Sequence, residues 1–203
     1  MVKKPAINMI MDRLAINNIL KIEKLEDELE FEKASSLYLK LRKPAQEDKL
    51  YSDIRMHLKV LISKYEQEHW SDESSITEEQ VRESDKAEVL VRAENQFNQK
   101  RKEQIRRRLK DAGLNQTDLA KILGHRKGYM SELINGLRPF SKEDIVIINR
   151  LLKIRFEDLV PPFIKKDKAD HINRALETIP KSNLRLTMRD LTPHTSKVKR
   201  SLT

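Results

Sequence analysis

Cysteine is absent from this 203-residue chain, which removes disulfides and thiolate metal sites and is compatible with a reducing cytosol. Glycine is nearly as scarce, with four residues, and 36% of the chain is charged. Clusters of β-branched residues are also few, so the composition predicts an all-α protein. No apolar run approaches the ~18 residues a membrane-crossing helix needs. The opening MVKK is not followed by an apolar stretch long enough for a signal peptide. A soluble, cytoplasmic protein is the expectation. Catalytic signatures are missing too, with no HExxH, Walker loop, GxSxG or GxGxxG. The histidines, at 57, 69, 125, 171 and 194, are dispersed. The carboxylates fall on helical runs where a solvated face explains them better than general acid–base pairing. Neither an enzyme, a cofactor nor a metal site is expected.

What is present is charge, unevenly placed. The net charge of +9 favours polyanionic partners without bearing on fold. Residues 71–96 hold Asp72, Glu73, Glu78, Glu79, Glu83, Asp85, Glu88 and Glu94 against Arg82, Lys86 and Arg92. Residues 97–140 reverse the sign, with Lys100, Arg101, Lys102, Arg106, Arg107, Arg108, Lys110, Lys121, Arg126, Lys127 and Arg138 against four acids. Phosphate contact requires such a block. A solvated helix face would account equally well for Arg106–Arg108 taken alone.

The basic block coincides with the stretch GLNQTDLAKILGHRKGYMSELINGLRP, Gly113–Pro139. In its first half Leu119, Ile122 and Leu123 have the three-and-four spacing of one buried helical stripe. Asn115 is placed to cap this helix, Gly113 to turn into it and Gly124 to stop it. In the second half Met130, Leu133 and Ile134 point inward while Arg126, Lys127, Tyr129 and Ser131 point outward. Asn135-Gly136 ends the run. Two short helices around a glycine-bearing turn fit a helix-turn-helix, though any αα-hairpin of a bundle shares the spacing.

Elsewhere, residues 1–20 are apolar enough to predict a docked arm, with helix and strand both open. Helices are predicted over Glu26–Arg42, ended by Pro44, and over Asp48–Trp70, joined by a short loop at Arg42–Asp48. The second shows Ile54, Leu58, Leu61, Ile62 and Tyr65 on one face. His69, with no second histidine near, reads as a cap or packing residue. Ser71–Ser75 is a polar linker. Thr77 then begins an acidic helix, with Gln80 at capping-box spacing. Whether that helix runs on into one around Phe97–Ala112 stays open. Beyond Pro161-Pro162, Asp170–Thr178 suggests helical turns, Asn183–Asp190 alternates like a strand, and Thr192–Thr203 reads as a disordered basic tail. The divisions are thus 1–70, arm and helical hairpin; 71–96, acidic linker and helix; 97–163, DNA-binding domain; and 164–203, tail.

The run QTDLAKILG…YMSELINGLRPFS resembles the DNA-binding domain of the Xre/lambda-repressor-like group, continuing through helices at Ser141–Leu152 and Phe156–Val160. Within that group it is most similar to HigA-like antitoxins of type II toxin–antitoxin modules. YEQEHW, Tyr65–Trp70, resembles the end of the N-terminal hairpin in those proteins. The resemblance implies a five-helix domain binding operator DNA as a homodimer, autorepression, and neutralisation of a HigB-like messenger-RNA-cleaving toxin. By register it puts Lys127, Tyr129 and Ser131 in the major groove, Arg126 at the helix start, and Gln116 and Thr117 against a phosphate. Arg138 is a further backbone candidate. The acids Glu23, Glu26, Asp27, Glu28, Glu30 and Glu32 mark a surface for a basic toxin. They are equally suited to solvating a helix or complementing its N-terminus. A stand-alone Xre-type repressor, or a scaffold whose helix-turn-helix is structural, are the alternatives.

Overall fold

The computed structural model describes residues 14–162, 164, 166–179 and 184–185, which are helical with no strand among them. The strand-like pattern at 183–190, apart from 184 and 185, lies outside the described residues, as do 1–13 and the basic tail. The chain divides into two compact units, residues 1–91 with 136–139, and residues 92–135 with 140–203.

The first unit is built on a hairpin of α1 (Glu28–Lys40) and α3 (Lys49–His69). Asp27 starts α1 by accepting the Glu30 amide at 2.9 Å, and Asp48 starts α3 by accepting the Leu50 amide at 2.8 Å. Each satisfies a donor that helix geometry leaves without a partner. The connection is not the loop expected. Pro44 opens a one-turn helix, α2 (Pro44–Glu47), because its fixed φ suits the first helical position as well as it ends a preceding helix. Ala34, Leu41, Ile54 and Leu58 are sealed from solvent between the helices. The arm docks on the same core. From residue 14 it runs through turns into a short 3-10 turn at Ile19–Lys21 and leaves it extended at Ile22, burying Leu14, Ile16, Ile19, Ile22 and Leu25. The His57 ring fastens it through Nε2 to the Ile22 carbonyl at 2.8 Å.

The YEQEHW end closes this unit with polar chemistry. Tyr65 Oη and Trp70 Nε1 both donate to Glu28 Oε1 at 3.1 Å, and Glu28 is buried. Tyr65 stacks on Phe31 at 5.0 Å, and the His69 ring lies on Tyr65 at 4.3 Å, which makes His69 a packing residue. Burial first, and the Glu28 carboxylate second, push the Tyr65 phenol well above its ordinary range. Thr77 Oγ1 accepts the Gln80 amide at 3.2 Å, but Gln80 does not return the bond. Its Nε2 instead donates to the last carbonyl of α3, that of His69, at 2.6 Å.

From Glu78 to Asp111 the chain is one helix, α4, of 34 residues, about 50 Å long by the helical rise. It contains no glycine or proline to break it. Ion pairs at i,i+3 and i,i+4 join Glu78, Glu79 and Arg82, then Glu83 and Lys86. Acids in its first turn and Arg108 and Lys110 in its last complement the helix dipole. Gly113, at φ +69°, ends it, with the Leu114 amide reaching back to the Leu109 carbonyl at 2.8 Å.

In the second unit, α5 (Gln116–Ile122), α6 (Lys127–Ile134), α7 (Lys142–Leu152) and α8 (Phe156–Leu159) surround one core with the end of α4. Ile105, Leu109, Leu119, Met130, Leu133, Ile134, Ile148 and Ile154 are among its fully buried members. Truncating any of the leucines or isoleucines to alanine costs ~2–5 kcal/mol. One predicted core position is overturned. Ile122 is 46% exposed, and Ala120 is buried in its place. At ~100° per residue, the direction shared by Leu119, Ala120 and Leu123 lies about 100° from Ile122. A further helix, α9 (Lys166–Thr178), longer than the turns expected there, buries Ala169.

Candidate nucleic-acid interface

The geometry of the interface is set by the turn between α5 and α6. Asn115 Oδ1 accepts the Thr117 and Asp118 amides at 2.8 and 3.2 Å, and Asp118 Oδ2 accepts the Asn115 amide at 3.0 Å. This reciprocal box starts α5. At the other end Gly124 takes φ +71°, the Gly124 amide donates to the Lys121 carbonyl and the His125 amide to the Ala120 carbonyl at 2.8 Å. That double closure is a Schellman motif, and it redirects the chain into α6.

α6 begins without a side-chain cap. Arg126 stands at the N-cap position, extended and exposed, with no capping hydrogen bond from its side chain. Lys127, Gly128 and Tyr129 follow, all exposed, while Met130, Leu133 and Ile134 are buried beneath them. The inward face is that predicted from spacing, and of the outward set Arg126, Lys127 and Tyr129 are exposed. A Cβ built on Gly128 would meet nothing within 4 Å, so no internal packing demands glycine there.

The remaining predicted residues divide. Ser131 is half-buried, and its hydroxyl and carbonyl accept from Asn135 Nδ2 at 3.2 and 2.8 Å. Gln116 and Thr117 open α5, half-buried and exposed respectively. Asn115 already accepts the Thr117 and Asp118 amides, so these two backbone donors at the start of α5 are occupied within the chain. Arg138 is half-buried in the 136–139 segment, which clusters with the first unit and not with α6. Of the basic stripe on α4, Arg106, Arg107 and Arg108 are exposed, but Arg101 is not available to a phosphate, being only 4% exposed. Its guanidinium lies over the Phe140 ring at 5.1 Å and the Phe97 ring at 5.5 Å, and it donates to Asn98 Oδ1 at 2.8 Å. Burial lowers its pKa to about 10, which leaves it charged at neutral pH. Arg101 stands four and eight residues before Ile105 and Leu109, on the buried stripe of α4, but spacing alone does not say what a cation there would meet.

A further feature had no signal in the sequence. His125 Nε2 lies 2.9 Å from Asp144 Oδ1, with the Asp144 side chain only 7% exposed. Nineteen residues separate the two, and only the fold brings them together. Asp144 is also the third residue of α7, where it exchanges hydrogen bonds with Ser141 in a second capping box.

A basic, exposed start to the second of two such helices, on a five-helix core, defines a helix-turn-helix DNA-binding domain. A helix-turn-helix family model matches residues 105–159, from within α4 to the end of α8. An Xre/lambda-repressor-like helix-turn-helix is therefore present, in a family of DNA-binding regulators. No curated protein and no solved structure matches the chain. No helix among the described residues is long and apolar enough to cross a membrane.

Proposed function

We propose that this chain is a transcriptional repressor of the HigA-like antitoxin type. On this reading it binds operator DNA through α6 as a homodimer, represses its own module and neutralises a HigB-like ribonuclease. The observation that carries the DNA-binding part is the start of α6, where an N-terminus with no side-chain cap coincides with exposed Arg126, Lys127 and Tyr129. Free helix-start dipoles and cations attract phosphate together. Exposed cations beside them can reach base edges. Lys127→Ala is expected to weaken binding by ~1–3 kcal/mol if the lysine reads a base. Fluorescence anisotropy on the DNA upstream of the protein's own reading frame measures this, and an unchanged affinity refutes the assignment.

Dimerisation is supported by exposed apolar side chains. On α7 and α8, Ile148 and Leu159 belong to the core and Ile145 packs partly against it. Ile147 and Leu151, one turn apart on α7, and Phe156 and Val160, at either end of α8, are 38–46% exposed.

Toxin binding has narrower support. Glu23 and Glu26 are exposed, but Glu28 is buried under Tyr65 and Trp70, Asp27 caps α1, and Glu30 accepts the Glu26 amide at 3.0 Å. Much of the acidic run therefore serves the helix, and the surface left for a basic partner is smaller than the sequence suggests. A stand-alone repressor uses the same interface, and the helix-turn-helix match, which starts at residue 105, favours neither version. Coexpression with the product of the adjacent reading frame separates them. Copurification that weakens with Glu23→Lys/Glu26→Lys supports the antitoxin reading. No association with any adjacent product, with DNA binding intact, leaves the stand-alone repressor.

A further inference from the structure

We propose that His125 is a positioning residue for Tyr129, so that the turn of the helix-turn-helix, and not α6 alone, sets how this exposed aromatic meets the bases. The inference rests on the DNA-binding reading above. Tyr129 sits in the first turn of α6 and is 41% exposed. An isolated surface tyrosine exchanges among rotamers, which a reading residue must not do. Here the ring is backed on one side. The His125 imidazole meets it edge-on, with centroids 5.0 Å apart and planes at 70°, the arrangement that aromatic quadrupoles favour.

His125 can serve as that wall because it is itself immobilised twice. Its amide closes the end of α5 on the Ala120 carbonyl at 2.8 Å. Its Nε2 is held at 2.9 Å by Asp144 Oδ1, while the other carboxylate oxygen of Asp144 accepts the Ser141 amide at 3.1 Å. Asp144 is only 5% exposed, so the anchor is internal and the imidazole projects from it. A chain of contacts thus runs from the start of α7, through the turn, to the outward face of α6. A histidine needed only to fill the turn would require no aromatic neighbour on the exposed side.

The test is a double-mutant cycle on the full chain. The probe is a duplex that wild-type protein enriches from a random-sequence library, with a shuffled duplex as control. His125→Gln keeps an amide able to bond Asp144 but removes the ring. It is expected to lower affinity for the enriched duplex by about three- to tenfold, the factor an aromatic pair supplies, and to leave the shuffled duplex unaffected. In a Tyr129→Ala background the same change should have no effect. An equal loss in both backgrounds, or no loss in either, overturns the positioning role. Wild-type protein that enriches no sequence sinks the DNA-binding reading itself and the inference with it, a failure visible before any variant is made. If His125→Gln does not fold, the exposed Tyr129→Ala variant decides alone. Removing the phenol ring must shift the His125 imidazole proton resonances, and unmoved resonances overturn the contact.

Discussion

Tyr65 shows how a single side chain ties the stability of the first unit to pH. Its phenol donates to Glu28 Oε1 and is driven above its ordinary 10.0, first by burial and then by that carboxylate. The folded chain therefore holds a proton that the unfolded chain releases above pH 10. The stability this provides is complete below that value and is lost as pH rises past it. Chemical denaturation of the wild-type protein from pH 8 upward is expected to show falling stability beyond about pH 10. Tyr65→Phe should flatten that alkaline limb. It should also reduce stability at neutral pH by ~1–3 kcal/mol, because Glu28 keeps only Trp70 as a donor. An alkaline limb of unchanged slope in the variant would assign the titration to another group.

Among the elements, α6 is where stability and function pull in opposite directions. Gly128 lies inside a short helix, has ordinary backbone angles, and has open space where a Cβ would go. Glycine there forgoes helix propensity for no internal reason. Gly128→Ala is accordingly predicted to stabilise the second unit by up to ~1 kcal/mol. The same variant should weaken binding to the enriched duplex by severalfold, because the added methyl stands where the duplex must approach. Thermal melts and anisotropy on the same preparation measure both signs. A gain in both quantities would remove Gly128 from the interface. α4 makes a different point. Lacking any glycine or proline, it carries both the acidic and the basic charge blocks, so the change of sign near residue 97 does not interrupt the helix.

For the whole molecule the open quantity is association. A single recognition helix covers half a site, and two-fold pairing is how this class reads a longer one. Leu151, 45% exposed on α7, supports little of the core, so Leu151→Asp should leave melting nearly unchanged. Light scattering at micromolar concentration is expected to give a dimer mass for the wild type and a monomer mass for the variant. A wild-type monomer, free and bound at one copy per duplex, would remove dimerisation from the proposal. Binding should also weaken steeply with salt, by a slope of about one per phosphate contact. Lys127→Ala should leave that slope unchanged if the lysine reads a base and lower it by about one if it holds a phosphate.

The local sequence by itself determined most elements of this protein. Period-3.6 patterning, Asn115 and Ser141 as caps, and Gly113, Gly124 and Gly136 at positive φ specify helix starts and stops within a few residues of each signal. The two faces of α6 were legible for the same reason, since Met130, Leu133 and Ile134 repeat at helical spacing. Tertiary structure alone decided which similar residues do different work. Arg101 and Arg106 are both cations on α4, yet one lies between aromatic rings and the other in solvent. Glu26 and Glu28 are both acids at the start of α1, yet one faces water and the other accepts from Tyr65 and Trp70, residues 37 and 42 positions away. His125 finds Asp144 only after α6 and the following turn have folded back. Burial and long-range pairing depend on how helices meet, and a helical repeat records which way a residue faces without recording what it will face.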